Sequence, residues 1–327
     1  MIFNFAFNTT ATVQSFFNSA GNPITVQPYQ AVDTTLIHGD TSGVLQPIGS
    51  FLNILDKKKV KRFYIHRTFA LGDILMLVPV VRALRRKGYD PYLRTTRWAM
   101  PVLRLLDIEA EAIENNKHPA EGEYGIMLDG TTEQDHSRPK LQGLHRIDIY
   151  FKALGIQKMP RNLDWSLDAK RLPRFEPSVG DYVAFQGRGS TYKKALSVGC
   201  IHHIKKEFTK RGISVILIGE KSYGILEFFA VIAKAKALIT MDSSPLWISH
   251  FTKTPTVGLF GPTRANERIT KHPLYPKKVK GIALNKEMGC ESCFEAAKKC
   301  NDSMACLKVI NPDKIFRLIY SEVEGWL

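Results

Sequence analysis

The chain has 327 residues, 44% of them hydrophobic, enough for about two domains of roughly 150 residues each with buried cores. Lys and Arg total 46 against 31 Asp and Glu, and the resulting +15 excludes an acidic solvating protein and points to an anionic partner: nucleotide phosphates, nucleic acid or a phosphorylated glycolipid. No apolar run approaches the roughly 20 residues of a membrane span, and MIFNFAFNTT lacks the basic and apolar regions of a signal peptide, so a cytoplasmic protein without a membrane span is expected.

The first 55 residues form a β-rich arm. MIFNFAF, ATVQSFF and ITVQPYQAV combine β-branched and aromatic residues between Asn and Gly, which predicts short antiparallel strands. Such strands serve either as a homo-oligomerisation arm through their edges or as an extra layer on the first domain. The basic run Lys57–Arg62 then leads into a strand, RFYIH. After Gly72, the spacing of Ile74, Leu77, Val78, Val81 and Leu84 predicts an amphipathic helix, with Pro79 a fault unless it lies near the start. Gly88 suits its C-terminal cap, and a strand resumes at Pro91–Arg94.

The second half repeats the pattern. DYVAFQG, GISVILIG, ALITMD and the start of PTVGLFGPT read as strands, with helices over Cys200–Lys210, up to Lys236 and from SSPLWISHF. Strands alternating with helices predict parallel sheets covered on both faces, hence two doubly wound domains joined near RLPRFEPSVG. A last helix opens on Asn311 as N-cap with Pro312 at the first position.

In such sheets ligands bind beyond the carboxyl ends of strands, where several polar loops fall. Gly72-Asp73 allows close backbone approach and sets a carboxylate at a helix start, as a cap or as a catalytic group. The loop Gly187-Arg188-Gly189-Ser190-Thr191-Tyr192-Lys193-Lys194 suits a phosphate, although it lacks P-loop spacing and equally fits a solvated basic loop. Asp242-Ser243-Ser244 offers hydroxyls and helix-start N–H groups to a pyrophosphate, or is a plain helix cap. Glu220, at a strand end, is either a ribose-diol acceptor or an exposed carboxylate.

Taken together these loops resemble glycosyltransferase family 9, the ADP-heptose:lipopolysaccharide heptosyltransferases and relatives, through ALGDILMLVPVVRALRRKG, FQGRGSTYKKALS, the GE of ILIGE and LITMDSSPLWISHFTKTPTVGLFGPT. HRIDIYFKALGI is similar to that family's inter-domain segment. The resemblance implies a GT-B fold, two Rossmann-like doubly wound domains facing a cleft. The division is then an arm over 1–55, an acceptor-side domain over 56–175, a nucleotide-sugar domain over 176–285, and a Cys-rich segment with C-terminal helix over 286–327. It also implies inverting transfer without a catalytic metal, with Asp73 as general base. Lys194, or its neighbour Lys193, and the groups around Gly189, Ser190, Asp242, Ser243 and Ser244 would hold the diphosphate, and Glu220 the ribose. Three departures stand out. Ser244 and Trp247 occupy the glycine and histidine of the family's D-[ST]-G-x-x-H, the span from Glu220 to Asp242 is short, and the arm lies outside the matched text.

Cys290, Cys293, Cys300 and Cys306 place four thiols within seventeen residues. In a cytoplasmic protein this favours a structural tetrahedral Zn or Fe over disulfides or reduced thiols, and a branch of the family that glycosylates autotransporters carries a four-cysteine iron site. The expected function is therefore transfer of a sugar, heptose from ADP-heptose, to a glycan, lipopolysaccharide core or protein. The alternative is a nucleic-acid-binding protein that glycosylates a modified base, which the charge and runs such as Lys57–Arg62 permit although no nucleic-acid-binding motif is seen.

Overall fold

The computed structural model describes residues 5–8, 14–17, 23–26, 30–33, 45–47, 50–68, 70–113, 123–129, 143–156, 160, 162–189, 192–219, 223–269, 279–290, 292–293 and 305–327. The chain divides into two compact units, Met1–Asp164 and Trp165–Leu327, and each is a layered α/β structure as the alternation of elements predicts.

The first unit contains β1 (Phe5–Asn8), β2 (Gln14–Phe17), β3 (Pro23–Val26), β4 (Gln30–Asp33), β5 (Leu45–Pro47), α1 (Phe51–Lys57), β6 (Arg62–His66), α2 (Leu71–Arg86), β7 (Asp90–Thr95), α3 (Met100–Leu105), β8 (Ala110–Ala112), β9 (Tyr124–Met127) and α4 (Arg146–Ala153). Its seven-stranded sheet runs β5-β1-β4-β9-β6-β7-β8. The five strands from β4 to β8 are parallel, while β1 pairs antiparallel with β4 and β5. The early strands therefore extend this sheet, through registers such as Phe5↔Asp33 and Gln30↔Gly125, while β2 and β3 form a separate ribbon.

Phe63, Tyr64 and Ile65 of β6 are wholly buried, as expected for a parallel strand covered on both faces. Helix α2 is buried from Asp73 to Val81, so burial on most sides replaces the single amphipathic stripe. It runs through Pro79, whose missing N–H costs an internal bond that the surrounding packing offsets. Gly88, at φ +85, then lets the chain leave the helix, its N–H donating to Arg85 O at 2.9 Å.

The second unit contains β10 (Tyr182–Gln186), α5 (Val198–Thr209), β11 (Ser214–Leu217), α6 (Ile225–Lys234), β12 (Ala237–Met241), α7 (Ser244–Thr252), β13 (Thr256–Phe260) and β14 (Val279–Ala283), then a short helix Ala305–Lys308 and a C-terminal helix Pro312–Val323. All pairings in the sheet β11-β10-β12-β13-β14 are parallel. Asn311 Oδ1 accepts the Asp313 N–H at 2.8 Å, the predicted cap of the last helix. That helix packs on α5, with the Phe208 and Phe316 rings edge to face at 5.2 Å.

In both sheets the strand order reverses around one strand pair. The reversal lies between β6 and β9 in the first unit and between β10 and β12 in the second. Chains leave such a pair in opposite directions, so their carboxyl ends open a crevice.

Candidate active site

At the β6–β9 reversal, the residues just beyond each strand interlock. The Leu128 N–H donates to His66 O at 2.9 Å. Asp129 accepts the Thr68 N–H and the Thr68 hydroxyl, each at 2.8 Å. His66 Nε2 lies 3.3 Å from the same carboxylate. Burial alone would raise the Asp129 carboxyl, but the bond and charge of His66, the charge of Arg67 and the Thr68 amide together hold it below the usual carboxylate range.

Arg67 is wholly buried. Its guanidinium donates to Leu128 O at 3.1 Å, lies 3.5 Å from Asp129 and pairs with Asp73 Oδ2 at 2.9 Å. Arg146, the first residue of α4, approaches Asp73 Oδ1 at 3.6 Å. Asp73 itself is 8% exposed and stands at the third position of α2, after Gly72 at the second. The N-cap is Ala70, a non-glycine residue at φ 53 whose side chain carries no acceptor. Asp73 is therefore not the N-cap that its spacing allowed, and two arginines flank its carboxylate.

At the β10–β12 reversal, Gln186 Oε1 accepts the hydroxyls of Ser243 at 2.6 Å and Thr240 at 2.8 Å, tying the two strand ends together. Asp242 accepts the Thr263 hydroxyl at 2.8 Å, with Lys194 Nζ at 3.4 Å and Arg268 Nε at 3.5 Å. Glu267, almost fully buried, pairs in turn with Arg264 at 3.0 Å and Arg268 at 3.5 Å. Ser243 is the N-cap of α7 and Ser244 its first residue, yet the Ser243 side chain makes no cap bond and serves Gln186 instead. A plain Asp/Ser cap does not describe this corner.

Lys194 is delivered by a tight turn. The Gly189 N–H donates to Lys194 O at 2.7 Å and the Leu196 N–H to Gly187 O at 2.9 Å, with a bridge between Arg188 and Ala195. A Cβ on Gly189 would lie 2.6 Å from Lys194 Cβ and 2.7 Å from Lys194 O, so only glycine lets the turn close. Lys193 shares the 3-10 turn Tyr192–Lys194, and Lys194 is the lysine of the pair that reaches Asp242. After this loop, a concavity of about 160 Å³ opens at the ends of β10 and β11, lined by Phe185, Arg188, Val198, Ile201, His202 and Ile218 among others. Ser190 and Glu220 lie outside the described residues.

Trp247 is buried and stacks on His250, with ring centroids 5.6 Å apart. Burial pushes the His250 imidazole down to about 4, against the raising effect of its bond to Leu246 O.

Of the four clustered cysteines, Cys290 is exposed while Cys293 and Cys306 are buried, and none of these three is in a disulfide. Cys300 lies outside the described residues. Among the described residues no three His, Cys, Asp or Glu side chains come together as a metal site. Cys306 belongs to the core of the second unit, and the expected four-thiolate site includes a residue outside those described. Among the described residues no helix is long and apolar enough to cross a membrane.

Sequence reasoning missed Arg67, Asp129 and Arg146 in the first unit, and Gln186, Thr263 and Arg268 in the second. Gln186 and Asp129 carried a usable signal, a polar residue at or just beyond the carboxyl end of an apolar run.

Residues 183–303 match the family model described as glycosyltransferase family 9 (heptosyltransferase). The iron-containing dodecameric glycosyltransferase TibC from enterotoxigenic E. coli H10407 is similar in structure, with TM-score 0.60, 12% identity and 97% of each chain covered. E. coli heptosyltransferase WaaC with ADP aligns at TM-score 0.53 and 12% identity, over 80% of this chain and 99% of that one. E. coli ADP-heptose lps heptosyltransferase II aligns at TM-score 0.53 and 14% identity, over 81% and 99%. No curated protein sequence matches the chain. These likenesses show the fold, the two doubly wound α/β units of a GT-B protein.

Proposed function

From the premise that this is a heptosyltransferase-like protein of glycosyltransferase family 9, we propose that it transfers a sugar, heptose from ADP-heptose, with inversion to a hydroxyl of a glycan, lipopolysaccharide core or protein. The observation that carries this reading is that the family-matched segment contains the Lys194–Asp242–Ser243 corner at the β10–β12 reversal, where phosphate-bearing ligands bind in such sheets. TibC, solved in complex with ADP-D-β-D-heptose, supports the choice of donor.

Asp73 takes the proton of the acceptor hydroxyl, which attacks the anomeric carbon from the face opposite the nucleotide as that bond breaks. Arg67 at 2.9 Å and Arg146 at 3.6 Å hold the carboxylate in place at the start of α2 for this step. Charge building on the leaving diphosphate is met by Lys194 and by N–H groups at the start of α7, from Ser243 and Ser244. Ser190 and Lys193 extend the phosphate loop closed by Gly189, and Glu220 accepts the ribose diol. Phe185, Ile201 and Ile218 in the lining of the adjoining concavity suit a flat base, with Arg188 and His202 as its polar groups. The transition state has oxocarbenium character, as in other glycosyl chemistry.

Asp73→Ala abolishes transfer and leaves nucleotide binding intact; turnover retained in that variant would remove Asp73 as base. A thermal-shift panel of nucleotide sugars tests the donor, since a ligand of the folded state raises Tm by about 2.7 kcal/mol worth of stability at a hundred times its Kd. ADP-heptose is expected to give the largest shift, and a panel led by a uridine or guanosine sugar would overturn the assignment.

The iron of TibC and the C-x-x-C spacing support a structural Fe or Zn on Cys290, Cys293, Cys300 and Cys306. Its part would be to hold the C-terminal segment. Elemental analysis of purified protein should find one metal per chain; four freely titratable thiols and no metal would reject the site.

A further inference from the structure

Reading Asp73 as the base leaves open what aims it. A general base must be held in productive geometry, and a misplacement of about 1 Å can cost on the order of a hundredfold in rate. Asp73 sits on α2, but its 2.9 Å partner comes from the end of β6. That partner, Arg67, has 0% side-chain exposure. A guanidinium wholly out of water stays only where its acceptors are, because desolvating an unpaired charge is costly. Its acceptors include Asp73, Leu128 O and Asp129, and the last two lie just beyond β9. Asp129 is fixed in turn by both donors of Thr68 and by His66. The second cation at Asp73, Arg146, is longer at 3.6 Å and partly exposed.

We infer that Arg67, braced by Asp129 across the β6–β9 reversal, is the positioning residue for Asp73: it sets the direction of the carboxylate. This rests on the proposed role of Asp73. Among the described residues, Arg67 from the end of β6 and Arg146 from α4 face that carboxylate, and Asp129 and His66 face the Arg67 side.

The role is read in full-length variants by the split between kcat and donor KM. Asp129→Asn removes the brace but keeps the arginine; kcat should fall by on the order of tenfold with donor KM in place. Arg67→Lys keeps the charge without the planar fork, so kcat stays low and donor KM is unchanged. Arg67→Met removes both and should lower kcat at least as far. Wild-type kcat in Asp129→Asn or in Arg67→Lys, or a loss carried by donor KM alone, would overturn the proposal. If Arg67→Met does not fold, Asp129→Asn and Arg67→Lys carry the test. Turnover surviving Asp73→Ala would instead defeat the reading of the base.

Discussion

Single residues decide whether the charged side chains reach their places. Gly189→Ala forces a Cβ within 2.6 Å of Lys194 Cβ and 2.7 Å of Lys194 O, so the turn that delivers Lys194 must open. The expected loss is about 1 to 3 kcal/mol in urea unfolding, as for other overpacked positions, together with weaker nucleotide binding by calorimetry. Unchanged affinity would detach this turn from donor binding. At this scale Asp73, Lys194 and Asp242 were visible in the sequence because each follows a strand and precedes a helix. Their partners were not visible. Thr68 and Arg67 meet Asp129 across 61 and 62 positions, a pairing set by the register of β6 on β9 and by no local pattern.

Among elements, those with a full period were legible, and so were the four-residue strands β1 to β4, marked by composition; other short elements were not. β6, β10, β12 and β13 lie within the predicted strands, α2 was marked by apolar spacing, and α5 overlaps the predicted helix Cys200–Lys210. β8 and β9, of three and four residues, are too short to display alternation. The early strands read as antiparallel from composition, but the parallel pairing of β4 with β9 depends on a strand that could not be foreseen. Helix α7 carries a pH dependence of its own. His250 packs between Trp165, at 4.9 Å, and Trp247, and its folded-state value is lowered from 6.5 to about 4. The unfolded chain therefore binds the extra proton first. Stabilisation is complete above about pH 6.5 and is lost as pH falls toward 4, amounting to up to about 3 kcal/mol. Urea midpoints at pH 7 and pH 4.5 check this, and His250→Phe, which keeps a ring there, should flatten the difference. An equal pH dependence in that variant would place its origin elsewhere.

Across the whole molecule, the charge of +15 opened the question of a nucleic-acid partner. Non-specific attraction of that kind falls steeply with salt, so DNA binding should vanish by about 0.2 M NaCl in a mobility-shift titration while nucleotide-sugar binding persists. DNA binding that survives this salt, with a preferred sequence, would revive the alternative. At the proposed donor site part of the charge is already met. Lys194 and Arg268 lean on Asp242, and Arg264 and Arg268 on Glu267, so two carboxylates offset two of these three cations. Under the proposed function, a spent nucleoside diphosphate would meet a nest already two-thirds neutralised. Such a site would grip its ligand by direction more than by excess charge, let go of the used nucleotide, and so keep product from stalling the next cycle.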